Sequence, residues 1–148
     1  MSIHPLAASL EAIPAHQLLG LRVDEMHDGV ASVRLPWRDD LGNHIGSVHA
    51  AALFAIGDAA SGAAMVSALG DLIATVTPIA RGADIDYRKV ARGDIVGRAE
   101  IPPEQVATIR AELADAGVSR PTVTIDMTDA QGVVVAVATF RWHVKVNG

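Results

Sequence analysis

The sequence predicts an α+β fold in which a mostly antiparallel sheet curls around one long buried helix. Three observations predict it. Residues His49–Leu69 form a stretch of about 20 residues that is apolar all round, as a helix enclosed by protein must be. After Gly70 the chain alternates apolar and polar residues between turn signals, the mark of half-buried strands. The chain of 148 residues is 50% hydrophobic yet has only two Trp, one Tyr and two Phe, so Ala, Val, Ile and Leu must fill one core. That length predicts a single domain over residues 1–148. A helix with no polar face needs cover on every side, so the sheet must bend around it.

The elements follow in order. Ile3, Leu6, Leu10 and Ile13 make a helical stripe, with Pro5 in its first turn and Pro14 as its stop. Leu21–Glu25 and Ala31–Leu35 read as a hairpin turning at His27-Asp28-Gly29. Residues 36–43 form a loop. In the long helix, Gly57 and Gly62 each cost about 1 kcal/mol of helix propensity, which predicts close packing there or a break before Asp58. Leu72–Thr77, Ala83–Val90 and Asp94–Ile101 are strand candidates. Val106, Ile109 and Leu113 fit a short amphipathic helix from Pro103 to Ala116, closed by Gly117. Thr122–Thr128 and Val133–Val146 are strands joined by the turn Asp129–Gly132.

Composition narrows the function classes. The net charge is −5, and no basic run exceeds two residues, which argues against a nucleic-acid surface. Without cysteine there is no disulfide scaffold and no thiolate chemistry. The six histidines lack metal-ligand spacing, so neither a metal nor another cofactor is expected. The N-terminal residues show no basic and apolar leader pattern, so a cytoplasmic location is expected. Val48–Leu69 is long enough to span a bilayer, but it is rich in Ala and Gly, carries Asp58 at its centre and lacks flanking anchors. A membrane role is not expected.

Asp58 is the one formal charge between Asp40 and Asp71. A lone carboxylate in an apolar helix needs a partner or a purpose. Two polar residues stand upstream of it, Asn43 by 15 positions and His49 by nine.

Asn43-x-x-Gly46-x-x-His49, followed by an apolar helix with Asp58 nine residues on, resembles the hotdog-fold acyl-CoA thioesterases. The likeness is to the phenylacetate-pathway type and a related group of uncharacterised thioesterase-like domains. LLGLRV near Leu18, IDYRKVARGD and DAQGVVVAVATFRW extend it from Pro14 to Val146. The resemblance implies a curved antiparallel sheet of five to six strands around one central helix. It also implies a homodimer joined edge to edge, tetramers in many members, and active sites at the dimer interface. Helix geometry points the same way. Nine residues turn a helix by about 900°, so His49 and Asp58 face opposite sides, roughly 13 Å apart along the axis. A symmetric neighbour can bring two such groups to one substrate.

The expected activity is hydrolysis of an acyl-CoA or related thioester, with Asp58 as general base to water or as nucleophile. The alternative for Asp58 is structural: a cap for a segment starting at Ala59, or a buried bond. The N–H groups of Ala50 and Ala51 would face the thioester oxygen at the helix N-terminus. Asn43 would orient water or substrate, unless it is only a turn residue. His49 either joins the chemistry or holds the loop. Arg81, Arg88, Lys89 and Arg92 would meet coenzyme A phosphates, the alternative being solvated charges at strand ends. This chain departs from the family in writing Ala50-Ala51 where members have Gly-Gly, and Ala80 where many have Ser or Thr, with Thr77 as a candidate substitute. A non-catalytic module that binds acyl-CoA is therefore the competing function. A hydratase or dehydratase is weaker, because no matching His-plus-acid pattern is evident.

Overall fold

The computed structural model describes residues 3–148. Near the N-terminus the expected single helix is two: α1 (Ala7–Glu11) and α2 (Pro14–Leu19). Pro14 does not end a helix but begins one, since its missing N–H costs nothing in a first turn. The hairpin is β1 (Arg22–His27) and β2 (Val30–Leu35). Its turn needs positive φ at both Asp28 and Gly29, 45° and 86°.

The long helix α3 (Ala50–Leu69) is continuous, so Asp58 caps no second segment. Gly57 marks close packing: a Cβ there would come within 2.7 Å of the Phe140 ring. Gly62 has only ordinary contact with Trp142. On the facing sheet, Gly97 leaves the space that Ile56 fills. Ile56 and Met65 are fully buried, each worth about 1.5–3 kcal/mol in burial free energy.

Two strand expectations are corrected: Leu72–Thr77 and Ala83–Val90 are not separate strands but contribute to one, Val76–Tyr87, which ends before Arg88. Gly70–Thr75 is a 3-10 helix rather than the start of a strand at Leu72. Gly70 turns the chain at φ 50°, and the Thr75 hydroxyl donates to the Leu72 carbonyl at 2.7 Å, closing a compact turn. The strand that follows, β3 (Val76–Tyr87), is 12 residues long. Then come β4 (Ile95–Glu100), α4 (Pro103–Ala116), β5 (Val118–Ser119), β6 (Thr122–Thr128) and β7 (Val134–Val146). The two-residue β5, not foreseen, pairs with β7 and brings the sheet to seven strands.

The sheet order is β1-β2-β4-β6-β7-β3, with antiparallel neighbours throughout. Its concave face wraps α3. The two edges differ. Along β1, Ile3 bridges to Met26 and the His4 N–H donates to the Met26 carbonyl, so the N-terminal segment covers part of that edge. Nothing among the described residues pairs with the outer edge of β3. One stripe of α3 is also left uncovered: Ala51, Phe54, Ala55, Asp58, Gly62 and Val66, three or four residues apart.

Candidate functional site

The candidate residues fall into two groups on α3, one at its N-terminus and one at mid-helix. At the N-terminus the loop before the helix is held by Asn43. Its Oδ1 accepts from the N–H groups of Ile45 (3.1 Å) and Ser47 (3.0 Å), and its Nδ2 donates to the Ser47 hydroxyl at 2.8 Å. These bonds consume most of its capacity, so Asn43 builds the loop. Gly46 supplies the positive φ the turn requires, and Arg92 donates to its carbonyl at 3.2 Å.

His49 is the N-cap of α3. Its Nδ1 accepts from the Ala51 N–H at 2.9 Å, which fixes the neutral ring's proton on Nε2. The expected pair of backbone donors is thereby reduced: Ala51 spends its N–H inside the chain. The Ala50 N–H has no partner among the described residues. It stands at the positive end of the helix dipole. Ala50 lines a cavity of about 340 Å³ with Asn43, Leu53, Tyr87, Arg88 and Lys89. The Tyr87 hydroxyl donates to the Ala50 carbonyl at 3.1 Å, tying the end of β3 to the helix. Sequence reasoning missed Tyr87 as a site residue; being the chain's sole tyrosine, in IDYRK, was its available signal.

At mid-helix, Asp58 is not the buried charge its setting suggested. Its side chain is 43% exposed, and its neighbour is His16 of α2, with Nε2 3.9 Å from Oδ2. His16 itself is only 12% exposed, and its Nδ1 lies 2.8 Å from the Leu10 carbonyl. That bond makes Nδ1 the donor, so a proton on Nε2 gives an imidazolium facing the carboxylate. The Asp58 carboxylate raises the His16 pKa above its ordinary 6.5, and the Leu10 carbonyl adds to this against the opposing effect of burial. His16 was not foreseen either, because 42 residues of sequence separate it from Asp58.

Asn43, Ala50, Arg88 and Lys89 thus share one cavity, with His49 and Arg92 beside it. Asp58 lies about 12 Å along the axis from Ala50, on the uncovered stripe. Arg81 does not join the other three basic residues. It lies six residues before Tyr87 on the extended β3, about 20 Å away, and lines a different cavity. Thr77 does not stand in for Ala80: its hydroxyl is bonded to the Asn147 side chain at the far end of β3. Among the described residues no cluster of three or more His, Asp or Glu could hold a metal ion.

A curved antiparallel sheet wrapped around one long helix, with the helix start facing the end of an edge-strand cavity, defines the hotdog class. Within it, the chain belongs to the family described as domain of unknown function DUF4442, which is hotdog-type and matches residues 7–144. Solved structures agree on the fold. A Pseudomonas aeruginosa protein, PA5026, described as of unknown function and a probable thioesterase, is 27% identical. It aligns over 95% of this chain and 93% of its own with a TM-score of 0.86. Another protein of that organism, PA5202, is 24% identical over 95% and 99% of the two chains, with a TM-score of 0.74. The Escherichia coli PaaI protein, from the phenylacetic acid degradation operon, is 19% identical over 95% and 90%, with a TM-score of 0.72. A comparison with curated protein sequences yields no match.

Proposed function

We propose that this protein hydrolyses an acyl-CoA thioester at a site completed by two copies of the chain. The observation that carries the reading is the unspent Ala50 N–H at the wall of the cavity, with basic residues beside it and no carboxylate of the same protomer in its lining. One protomer supplies Ala50, Tyr87, Arg88, Lys89 and Arg92. Its partner supplies the Asp58 carboxylate. Support for a two-chain site comes from the unpaired 12-residue edge of β3. Exposed apolar residues, Ile79 at 50% and Phe54 at 40%, lie on that strand and on the open stripe of α3. PA5026, 27% identical and described as a probable thioesterase, agrees with the class of reaction.

In this mechanism Asp58 takes a proton from water as the oxygen attacks the thioester carbonyl. The carbonyl oxygen gains charge and accepts a hydrogen bond from the Ala50 N–H. The tetrahedral intermediate then expels the coenzyme A thiolate, which receives the proton from Asp58; water and thioester have become acid and thiol. Direct attack by Asp58 would instead form an anhydride that water opens. Arg88, Lys89 and Arg92 meet the phosphates.

The loss of the Ala51 donor to His49 favours one second reading, an acyl-CoA-binding module without turnover. Short, medium, branched and aryl acyl-CoAs offered to the wild-type protein and to Asp58→Asn separate the two. Hydrolysis that collapses in the variant, with folding and assembly intact, supports the enzyme. Equal turnover by both proteins removes Asp58 from the mechanism, and tight binding with no turnover by either makes the protein a binding module.

A further inference from the structure

A second polar cavity lies on the face of the sheet turned away from α3. On β7, Arg141 and His143 alternate with buried Phe140, Trp142 and Val144, so they project from the convex side. Thr122 of β6 pairs with Arg141. On the other flank, Ile79 and Gly82 of β3 pair with His143 and Arg141, and the bulge between Ala80 and Gly82 presents Arg81. Arg120 stands just ahead of β6. Arg81, Arg120, Thr122, Arg141 and His143 together line about 430 Å³, within the roughly 300–1,000 Å³ of small-molecule sites.

The charge there is unbalanced in a chain whose net charge is −5. Arg34, Arg38, Arg98 and Arg110 each hold a carboxylate. In this cavity only Arg141 does, through Asp84 at 2.6 Å. Among the described residues Arg81 and Arg120 have no carboxylate partner. Gly82 contributes by what it lacks: a Cβ would collide with the Arg141 guanidinium, which lies across the β3 backbone. The His143 pKa is held below its ordinary value by loss of water contact and by the positive charge of Arg81, Arg120 and Lys145.

We propose that this cavity binds a phosphomonoester dianion carried on a small molecule. Two unpaired guanidinium groups and a threonine hydroxyl match the charge and the oxygens of a phosphate. A carboxylate would neutralise only one of the two. The cavity faces away from the Tyr87 side of the sheet, so it is separate from the thioester site and does not depend on that assignment.

Calorimetric titration with inorganic phosphate, adenosine 3′,5′-bisphosphate and unphosphorylated adenosine tests this. The wild type binds the phosphate-bearing probes and not adenosine. Arg81→Gln and Arg120→Gln, both at exposed sites, each weaken that binding about tenfold or more, while Arg22→Gln, which removes a charge elsewhere, leaves it unchanged. Tighter binding of the bisphosphate than of phosphate assigns the group to a nucleotide; equal binding assigns it to the phosphate alone. The proposal is overturned if neither phosphate probe binds, if binding survives both cavity variants, or if Arg22→Gln weakens it as much as they do. Bisphosphate seated in the helix N-terminal cavity gives the second of these overturning results.

Discussion

The N-terminal end of α3 and its middle are built on opposite principles. At the N-terminus the chain satisfies almost every polar group itself: Asn43 closes its loop, His49 takes the Ala51 N–H, and Tyr87 takes the Ala50 carbonyl. One backbone donor of the helix's first turn, the Ala50 N–H, is left over. At mid-helix the Asp58 carboxylate has one ionisable partner among the described residues, His16 at 3.9 Å, and is 43% exposed. The first region is a finished platform with one open contact. The second is a carboxylate presented outward on an apolar stripe, which fits the proposal that another chain uses it.

Four substitutions press on that contrast, in falling order of effect. Asp58→Asn removes the base and lowers kcat about 10²–10⁴-fold. Because the side chain is half-exposed, its melting temperature stays near wild type, which thermal unfolding checks. Ala50→Pro removes the leftover donor. Proline suits the first helical position, and His49, at φ −64° and ψ 140°, already has the backbone a residue before proline prefers. Steady-state kinetics should show a loss of about 10²–10³-fold in kcat with stability unchanged.

Asn43→Ala acts on the platform instead. It strips the N–H groups of Ile45 and Ser47 of their acceptor, and denaturant unfolding should show a loss of about 1–3 kcal/mol. The smallest effect is that of His16→Gln, and it depends on pH. The folded protein raises the His16 pKa, so the native state binds this proton more tightly than the unfolded chain. The resulting stability is fully present below the unfolded value near 6.5 and is lost as pH rises through the higher folded value. The stability advantage of wild type over His16→Gln, measured by urea unfolding, should therefore be greatest at acid pH and shrink toward pH 8.

The layered fold was legible because its signals are local. Periodicity set the bounds of α4 and β6, and the run without charge found α3. What escaped depended on three dimensions. Pro14 can stop one helix or start the next, and Leu72–Thr75 looks like a strand until the turn after Gly70 winds it up. The site shows the same division. The spacing from Asn43 to His49 to Asp58 placed these candidates along α3, with His49 as its N-cap and Asp58 at its middle. The His16 contact and the spending of the Ala51 N–H are long-range or conformational facts with no trace in spacing. Arg81 was grouped with Arg88 by nearness in sequence, yet an extended strand carries residues apart fastest.

The central claim, that each site takes its backbone donor from one chain and its carboxylate from the other, has a direct test. Asp58→Asn and Ala50→Pro proteins, each impaired alone, are mixed, exchanged and assayed. Random pairing makes half the dimers mixed, and each of these holds one intact site, so about one quarter of wild-type activity should return. Activity that stays at the level of the separate variants, with exchange verified by mass, would contradict the shared site.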